Sequence, residues 1–130
     1  MKILVDADAL VALAKIDDTN HKKAVEIAKK IKNSNLYITP FTIAEAVTVL
    51  SYTVSQKAAI LFLKEVRKKK LIELSTNKEI IFLTDELFSQ QSKKGTSWVD
   101  CLNVIMVRFY HLDKIFSFDK FYQKFNLLLK

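Results

Sequence analysis

Acidic residues in this chain stand alone within apolar segments, and that placement constrains the fold more than any other feature. Glu45 is the only charged residue between Lys32 and Lys57, and Asp100 the only one between Lys94 and Arg108. Asp6 and Asp8 are the only charges between Lys2 and Lys15, and Asp119 follows the largely apolar run Ile115-Phe116-Ser117-Phe118. A charge flanked by core-type residues is drawn toward low dielectric, at a cost that something must offset. Acids that recur in such places point to a shared compensator, for which a bound cation is the natural candidate.

The 130 residues are 50% hydrophobic, enough for one domain (residues 1–130) with a proper core. One Gly and one Pro leave little room for linker or low-complexity sequence. The apolar runs are far too short for a membrane helix. Asp6 arrives too early for a signal-peptide apolar region, so a cytoplasmic protein is expected. A single cysteine, Cys101, excludes an intrachain disulfide framework and a multi-cysteine zinc site. The net charge of +7 comes from clusters at Lys22, Lys23, Lys29, Lys30 and Lys32, at Lys64 and Arg67 to Lys70, and at Lys93 and Lys94. Such clusters read either as a solvated surface or as a footprint for a polyanion, most simply nucleic acid.

Lys2–Val5 is a short apolar run without alternation and reads as a strand buried on both faces, and Leu36–Thr39, Leu71–Leu74 and Lys114–Phe118 read as three further short strands. Between them the pattern predicts helices over Ala7–Ile16, His21–Lys32, Phe41–Tyr52, Ser55–Lys70, Lys78–Gln91 and Ser97–Tyr110. A short helix over Lys120–Phe125 and an edge strand at Leu127–Leu129 close the chain. Strands alternating with helices indicate an α/β domain with a mostly parallel sheet of four to five strands.

In such sheets the crevice lies outside the carboxyl ends of the strands. Asp6 falls just past the first strand and Asp119 just past the fourth. Asp100 lies in the first turn of the helix feeding the fourth strand, and Glu45 in the helix after the second. Convergent oxygens of this kind suit Mg²⁺ or Mn²⁺ better than zinc, and a divalent ion held there polarises a phosphate and activates water. Each acid also has a purely structural explanation. Asp6 and Asp119 can cap the helices they precede, and Asp100 has capping-box spacing from Ser97. Glu45 is the hardest to explain so, since it has no lysine three or four residues away to pair with. Asp8 reads as a second cap or as a contact through water. Ser117 reads as an orienting hydroxyl or a solvent-facing one, and Asn103, one turn past Asp100, as a surface amide before a supporting contact behind the acids.

The ordered pieces Ile3-Leu4-Val5-Asp6-Ala7-Asp8-Ala9-Leu10-Val11-Ala12-Leu13, Thr42-Ile43-Ala44-Glu45-Ala46, Ser97-Trp98-Val99-Asp100-Cys101 and Ile115-Phe116-Ser117-Phe118-Asp119 resemble PIN-domain ribonucleases, specifically the VapC-like toxin group. The resemblance implies a Rossmann-like three-layer α/β/α domain and Mg²⁺- or Mn²⁺-dependent cleavage of single-stranded RNA. It implies that Asp6, Glu45, Asp100 and Asp119 form the acidic metal-binding quartet, with Ser117 beside it. A homodimer and a cognate antitoxin whose C-terminal segment enters the acidic groove are implied as well. The family usually carries Ser or Asn where this chain has Asp8.

Other readings compete. A haloacid-dehalogenase-type phosphatase would use Asp6-Ala7-Asp8 after a strand, but the chain is short for that fold and lacks a downstream lysine with a paired-acid glycine motif. A receiver domain would need a phosphoacceptor aspartate after Leu71–Leu74. A non-catalytic RNA- or partner-binding module on a degenerate nuclease fold would bind RNA without cutting it. Cys101 reads as core, His21 as exposed, and His111 as a helix-end cation. Trp98, Tyr110 and Tyr122 read as core aromatics before base-stacking ones.

Overall fold

The computed structural model describes residues 1–129. Four strands, β1 (Lys2–Val5), β2 (Asn35–Ile38), β3 (Ile72–Glu73) and β4 (Lys114–Phe116), form one sheet in the order β3-β2-β1-β4 with every pairing parallel. Helices α1 (Ala7–Ala14) and α2 (His21–Lys30) join β1 to β2, α3 (Thr42–Thr53) and α4 (Gln56–Val66) join β2 to β3, and α5 (Lys78–Ser89) and α6 (Trp98–Phe109) join β3 to β4. A 3₁₀ helix follows at Lys120–Phe125.

Every residue of β1 after Lys2 is buried, and its side chains alternate between two cores. Ile3 and Val5 face the layer of α1 to α4, and Leu4 faces the layer of α5, α6 and the 3₁₀ helix. That alternation makes the three-layer α/β/α sandwich and explains why β1 reads as an unbroken apolar run. The chain leaves β1 toward β2 and β3, then crosses back to place β4 on β1's other edge. The reversal opens a crevice at the carboxyl ends of β1 and β4.

Several elements are shorter than their patterns predict. The helix expected to reach Lys70 ends at Val66, because four consecutive cations crowd its last turn. Lys68 and Lys69 N–H groups there bond to the Glu65 and Val66 carbonyls three residues back, not four. Strand β4 ends at Phe116 because the next groups, the Ser117 hydroxyl and the Phe118 N–H, turn to Asp8. The expected strand at Leu127–Leu129 reduces to a parallel bridge between Leu128 and Ile115. His21, expected to be exposed, is half-buried, with Nδ1 2.7 Å from the Ala12 carbonyl. No helix among the described residues is long and apolar enough to cross a membrane.

Ile3→Ala and Leu4→Ala, on opposite faces of β1, are each expected to cost about 2–5 kcal/mol. Ile72→Ala on the edge strand, where the side chain is 48% exposed, is expected to cost about 1 kcal/mol or less. Urea unfolding midpoints at unchanged slope measure the difference.

Candidate active site

The site begins where β1 ends. Asp6 leaves the strand with its N–H still bonded to the Phe116 carbonyl and its side chain capping α1. It is 6% exposed, yet both carboxylate oxygens are saturated. Oδ1 accepts from the Ala7 N–H at 2.8 Å and from Asn103 Nδ2 at 3.2 Å, while Oδ2 faces the Tyr122 hydroxyl at 2.8 Å and the Ser117 hydroxyl at 3.2 Å. Burial raises its pKa despite those four donors.

Two hydroxyls carry the connection outward. Tyr122 Oη also lies 3.0 Å from Asp100 Oδ1, and Asn103 Nδ2 donates to it at 2.9 Å. Ser117 Oγ lies 3.0 Å from Asp8 Oδ2, which the Phe118 N–H also reaches at 2.9 Å. Asp119 joins through its own N–H, which donates to Ser117 Oγ at 3.1 Å, and its carboxylate caps the 3₁₀ helix through the Phe121 N–H at 2.9 Å. Asp100 sits in the first turn of α6, where Ser97 Oγ accepts from its N–H. Its carboxylate does not complete a reciprocal capping box but faces Tyr122. Glu45, in the first turn of α3, is held there by bonds between Thr39 and Thr42 that fix the entry to the helix, and it shares a groove with Asp8.

The protons do not suffice for full ionisation. Ser117 and Tyr122 each have one hydroxyl proton and each faces two carboxylates. Whichever way the hydroxyls turn, two oxygen–oxygen contacts lack a proton unless carboxyl groups carry them. The electrostatics agree. Burial, then the Asp6 charge, pushes Asp8 up to about 7. Burial, the Asp6 charge and the neighbouring Asp119 carboxylate push Asp100 up to about 8. Partial burial and Asp6 also raise Glu45. The Tyr122 phenol is pushed above the ordinary tyrosine range and stays protonated. Asp8 Oδ1 is buried without a hydrogen-bond partner.

As the side chains stand, no group of three or more His, Cys, Asp or Glu among the described residues is arranged to hold a metal ion. The donor chemistry nevertheless fits a hard divalent cation. The donors are all oxygens, one of them is buried and orphaned, and the cluster lacks protons for full ionisation, a deficit a cation would relieve.

Two residues outside the predicted acidic set lie at its centre. Asn103, read as a surface amide before a contact behind the acids, is 2% exposed, and Tyr122, read as core, is fully buried as expected but with its hydroxyl between two carboxylates. Asn103 was recoverable from sequence: an amide in the otherwise apolar stretch Cys101–Val107 needs a buried partner. Tyr122 was not, since only one atom separates it from a core phenylalanine. Cys101 is buried core, Trp98 donates to Asp85 at 2.8 Å and Tyr110 to the Ser75 carbonyl at 2.6 Å, and His111 is exposed just past α6.

The profile of the PIN domain matches residues 3–126. The chain belongs to the PIN-domain family. Its fold is shared with Mycobacterium tuberculosis VapC20, described as a Sarcin-Ricin loop cleaving toxin, at TM-score 0.84 and 16% identity over 97% of this chain and 96% of that one. It is shared also with VapBC2 from Rickettsia felis, solved bound to a DNA fragment from their promoter, at TM-score 0.69 and 16% identity over 100% and 98% of the two chains. No curated protein matches the sequence with significance.

Burial sets a pH dependence in this PIN domain. Asp100 is raised from 3.8 to about 8, so the folded chain keeps a proton there that the unfolded chain has released. Stability from that proton is complete below about pH 4 and is lost as the pH rises to about 8. Without metal, Asp100→Asn is therefore expected to melt higher than the parent at pH 8. The gain is on the order of 1 kcal/mol after solvent screening, or roughly 4 °C. At pH 4 the two should melt alike. Thermal melts in EDTA at the two pH values measure it.

Proposed function

We propose that this PIN domain is a metal-dependent endoribonuclease that cleaves single-stranded RNA and serves as the toxin of a toxin–antitoxin pair. The observation that carries the reading is the buried Asp6 carboxylate at the end of β1, linked by one hydroxyl to Asp100 and by another to Asp8 and Asp119. Glu45 completes the set from α3. No capping role requires hydroxyls placed between carboxylates. An ion-pair role for Glu45 fails too, since the one ion pair among the described residues joins Lys68 to Glu65.

Asp6, Glu45, Asp100 and Asp119 are the residues assigned to hold Mg²⁺ or Mn²⁺, with Asp8 reaching the same site. Held by these carboxylates, such an ion would supply charge neutralisation at the phosphate and activation of water. The chain's own groups prepare that site. Ser117 and Tyr122 fix the direction of Asp6 Oδ2, Asn103 fixes Tyr122 and Asp6 Oδ1, and the ends of β1 and β4 hold all of them on rigid backbone.

The toxin reading rests on the fold shared with VapC20, and a cognate antitoxin is inferred from VapBC2, a complex of two proteins. Exposed apolar side chains on α3 and α4, Tyr52 at 87% and Leu61 at 62%, favour a face covered by protein, either a second copy in a homodimer or the antitoxin. The proposed site of action is cytoplasmic. The surface grooves beside the acids are about 240 and 180 Å³, below the usual range for an enclosed small-molecule pocket. That favours a polymer laid across the surface over the phosphatase alternative.

Cleavage of single-stranded RNA is expected to require Mg²⁺ or Mn²⁺ and to stop in EDTA. Asp6→Asn should lower the rate by about 10³-fold or more, the equivalent of several kcal/mol of lost charge stabilisation, with an unchanged circular dichroism spectrum. If the parent binds RNA without cutting it under any divalent ion, the chain is instead a non-catalytic binding module.

A further inference from the structure

The lysines of this chain are unevenly placed about the acidic site. Lys64 and Arg67 to Lys70 lie where α4 leads into the start of β3, and Lys29, Lys30 and Lys32 where α2 leads into the start of β2. Both sets sit at the opposite end of the parallel sheet from Asp6, while Lys22 and Lys23 open α2 and line neither groove beside the acids. The smallest cluster, Lys93 and Lys94, is the one that reaches the acids. With Lys120 and Lys124 it lines a single groove whose wall includes Asp100 and Asp119. Among the described residues none of these lysines is in an ion pair, although two carboxylates share their groove. Lys124 Nζ is braced at 2.5 Å from Gln91 Oε1 and lies 4.7 Å from the centre of the Phe121 ring, which also lines the groove. The turn carrying Lys93 and Lys94 is closed by Thr96, whose N–H and hydroxyl both donate to the Lys93 carbonyl, and by Gly95 at φ 86°.

The groove on the other flank of the acids is its electrostatic opposite. Asp8, Asp18 and Glu45 line it together with Asn20 and apolar side chains, and no lysine or arginine does. A polyanion crossing the acids meets cations on the Asp100–Asp119 side and carboxylates on the Asp8–Glu45 side.

We propose that RNA is held one-sidedly: the phosphates flanking the cut on one side lie in the Lys93–Lys94–Lys120–Lys124 groove, with Phe121 offering a base-stacking face, and the Glu45 side contributes no phosphate contact. This rests on the nuclease reading and adds the path of the strand. Positive charge beside the acids draws the backbone in, while the opposite groove repels it. The strand therefore has one direction of approach and a short footprint.

The test is binding of fluorescein-labelled single-stranded RNA to the full chain in EDTA, read by anisotropy over a salt series. Lys93→Ala/Lys94→Ala/Lys120→Ala is expected to weaken binding at least tenfold. It should flatten the slope of log K against log salt by about 2, roughly 0.7 for each lost phosphate contact on a single strand. Lys68→Ala/Lys69→Ala/Lys70→Ala, equal in charge but at the far end of the sheet, should change binding less than twofold. Equal losses in the two variants would mean that net charge alone attracts RNA, and no loss in the first would mean that the groove is not used. Either result overturns the proposal. Polyglutamate of matched charge competing as well as RNA would assign the groove to acidic protein and overturn it as well. Failure of the nuclease reading looks different: the parent binds RNA with this groove-dependent slope and does not cut it when Mg²⁺ or Mn²⁺ is restored.

Discussion

A buried carboxylate saturated by four donors organises this molecule. Asp6 ends the central strand, begins α1, and is tied by side chains to α6, to the residue after β4 and to the 3₁₀ helix. A carboxylate in that position is tolerated because polar groups surround it. Three of the four, Asn103, Ser117 and Tyr122, come from sequence-distant elements that meet only when the sheet is complete. Asn103 and Tyr122 are 97 and 116 residues from Asp6. The interaction that makes the site therefore also reports that the fold is assembled. A single-domain parallel sheet whose last strand returns to the edge of its first is the topology that allows it.

The same carboxylate cluster works against stability. Hydroxyl protons cover half of the carboxylate contacts they face, and burial raises Asp6, Asp8 and Asp100 together. The molecule thus carries an electrostatic strain at the carboxyl ends of β1 and β4, which protons retained on Asp8 and Asp100 relieve up to about neutral pH. A chain selected for stability alone would place amides there. Acids gathered at strand ends at a cost in burial are the pattern on which the proposed active site rests.

Much of this was legible in the residues. The apolar run Ile3–Val5 gave β1, which is buried on both faces, whereas both residues of β3 are exposed. The isolated Asp100 is a half-buried carboxylate facing Tyr122, while the equally isolated Glu45 stays exposed on α3. The capping explanations were correct without being sufficient: Asp6 and Asp119 do cap helices, and their other contacts serve the cluster. What could not be read were contacts made by one atom of an otherwise apolar side chain. Tyr122 lies among Phe121 and Phe125 in a segment whose pattern demands core residues, and nothing in periodicity distinguishes a phenol aimed at two aspartates from a phenylalanine. Element ends were missed for a related reason. Strand β4 stops at Phe116 because Asp8, more than a hundred residues away, claims the Phe118 N–H.

Net charge is the plainest case of a sequence property that acquires meaning only through topology. The +7 total is dominated by lysines at the wrong end of a parallel sheet to touch a ligand at its carboxyl edge. Helices in such a fold run back from the carboxyl ends to the starts of the next strands. Four cations, Lys29, Lys30, Lys64 and Arg108, lie in last helical turns, where they suit the helix dipole. Helix termination thus accounts for part of the basic charge without a nucleic-acid partner. The lysines that bear on polyanion binding are those that follow a strand or precede an inward-facing helix. Lys120 comes just after Asp119, and Lys93 and Lys94 just before the Ser97 cap of α6. Position relative to the strand ends, more than number, decides which cations can act with the acids.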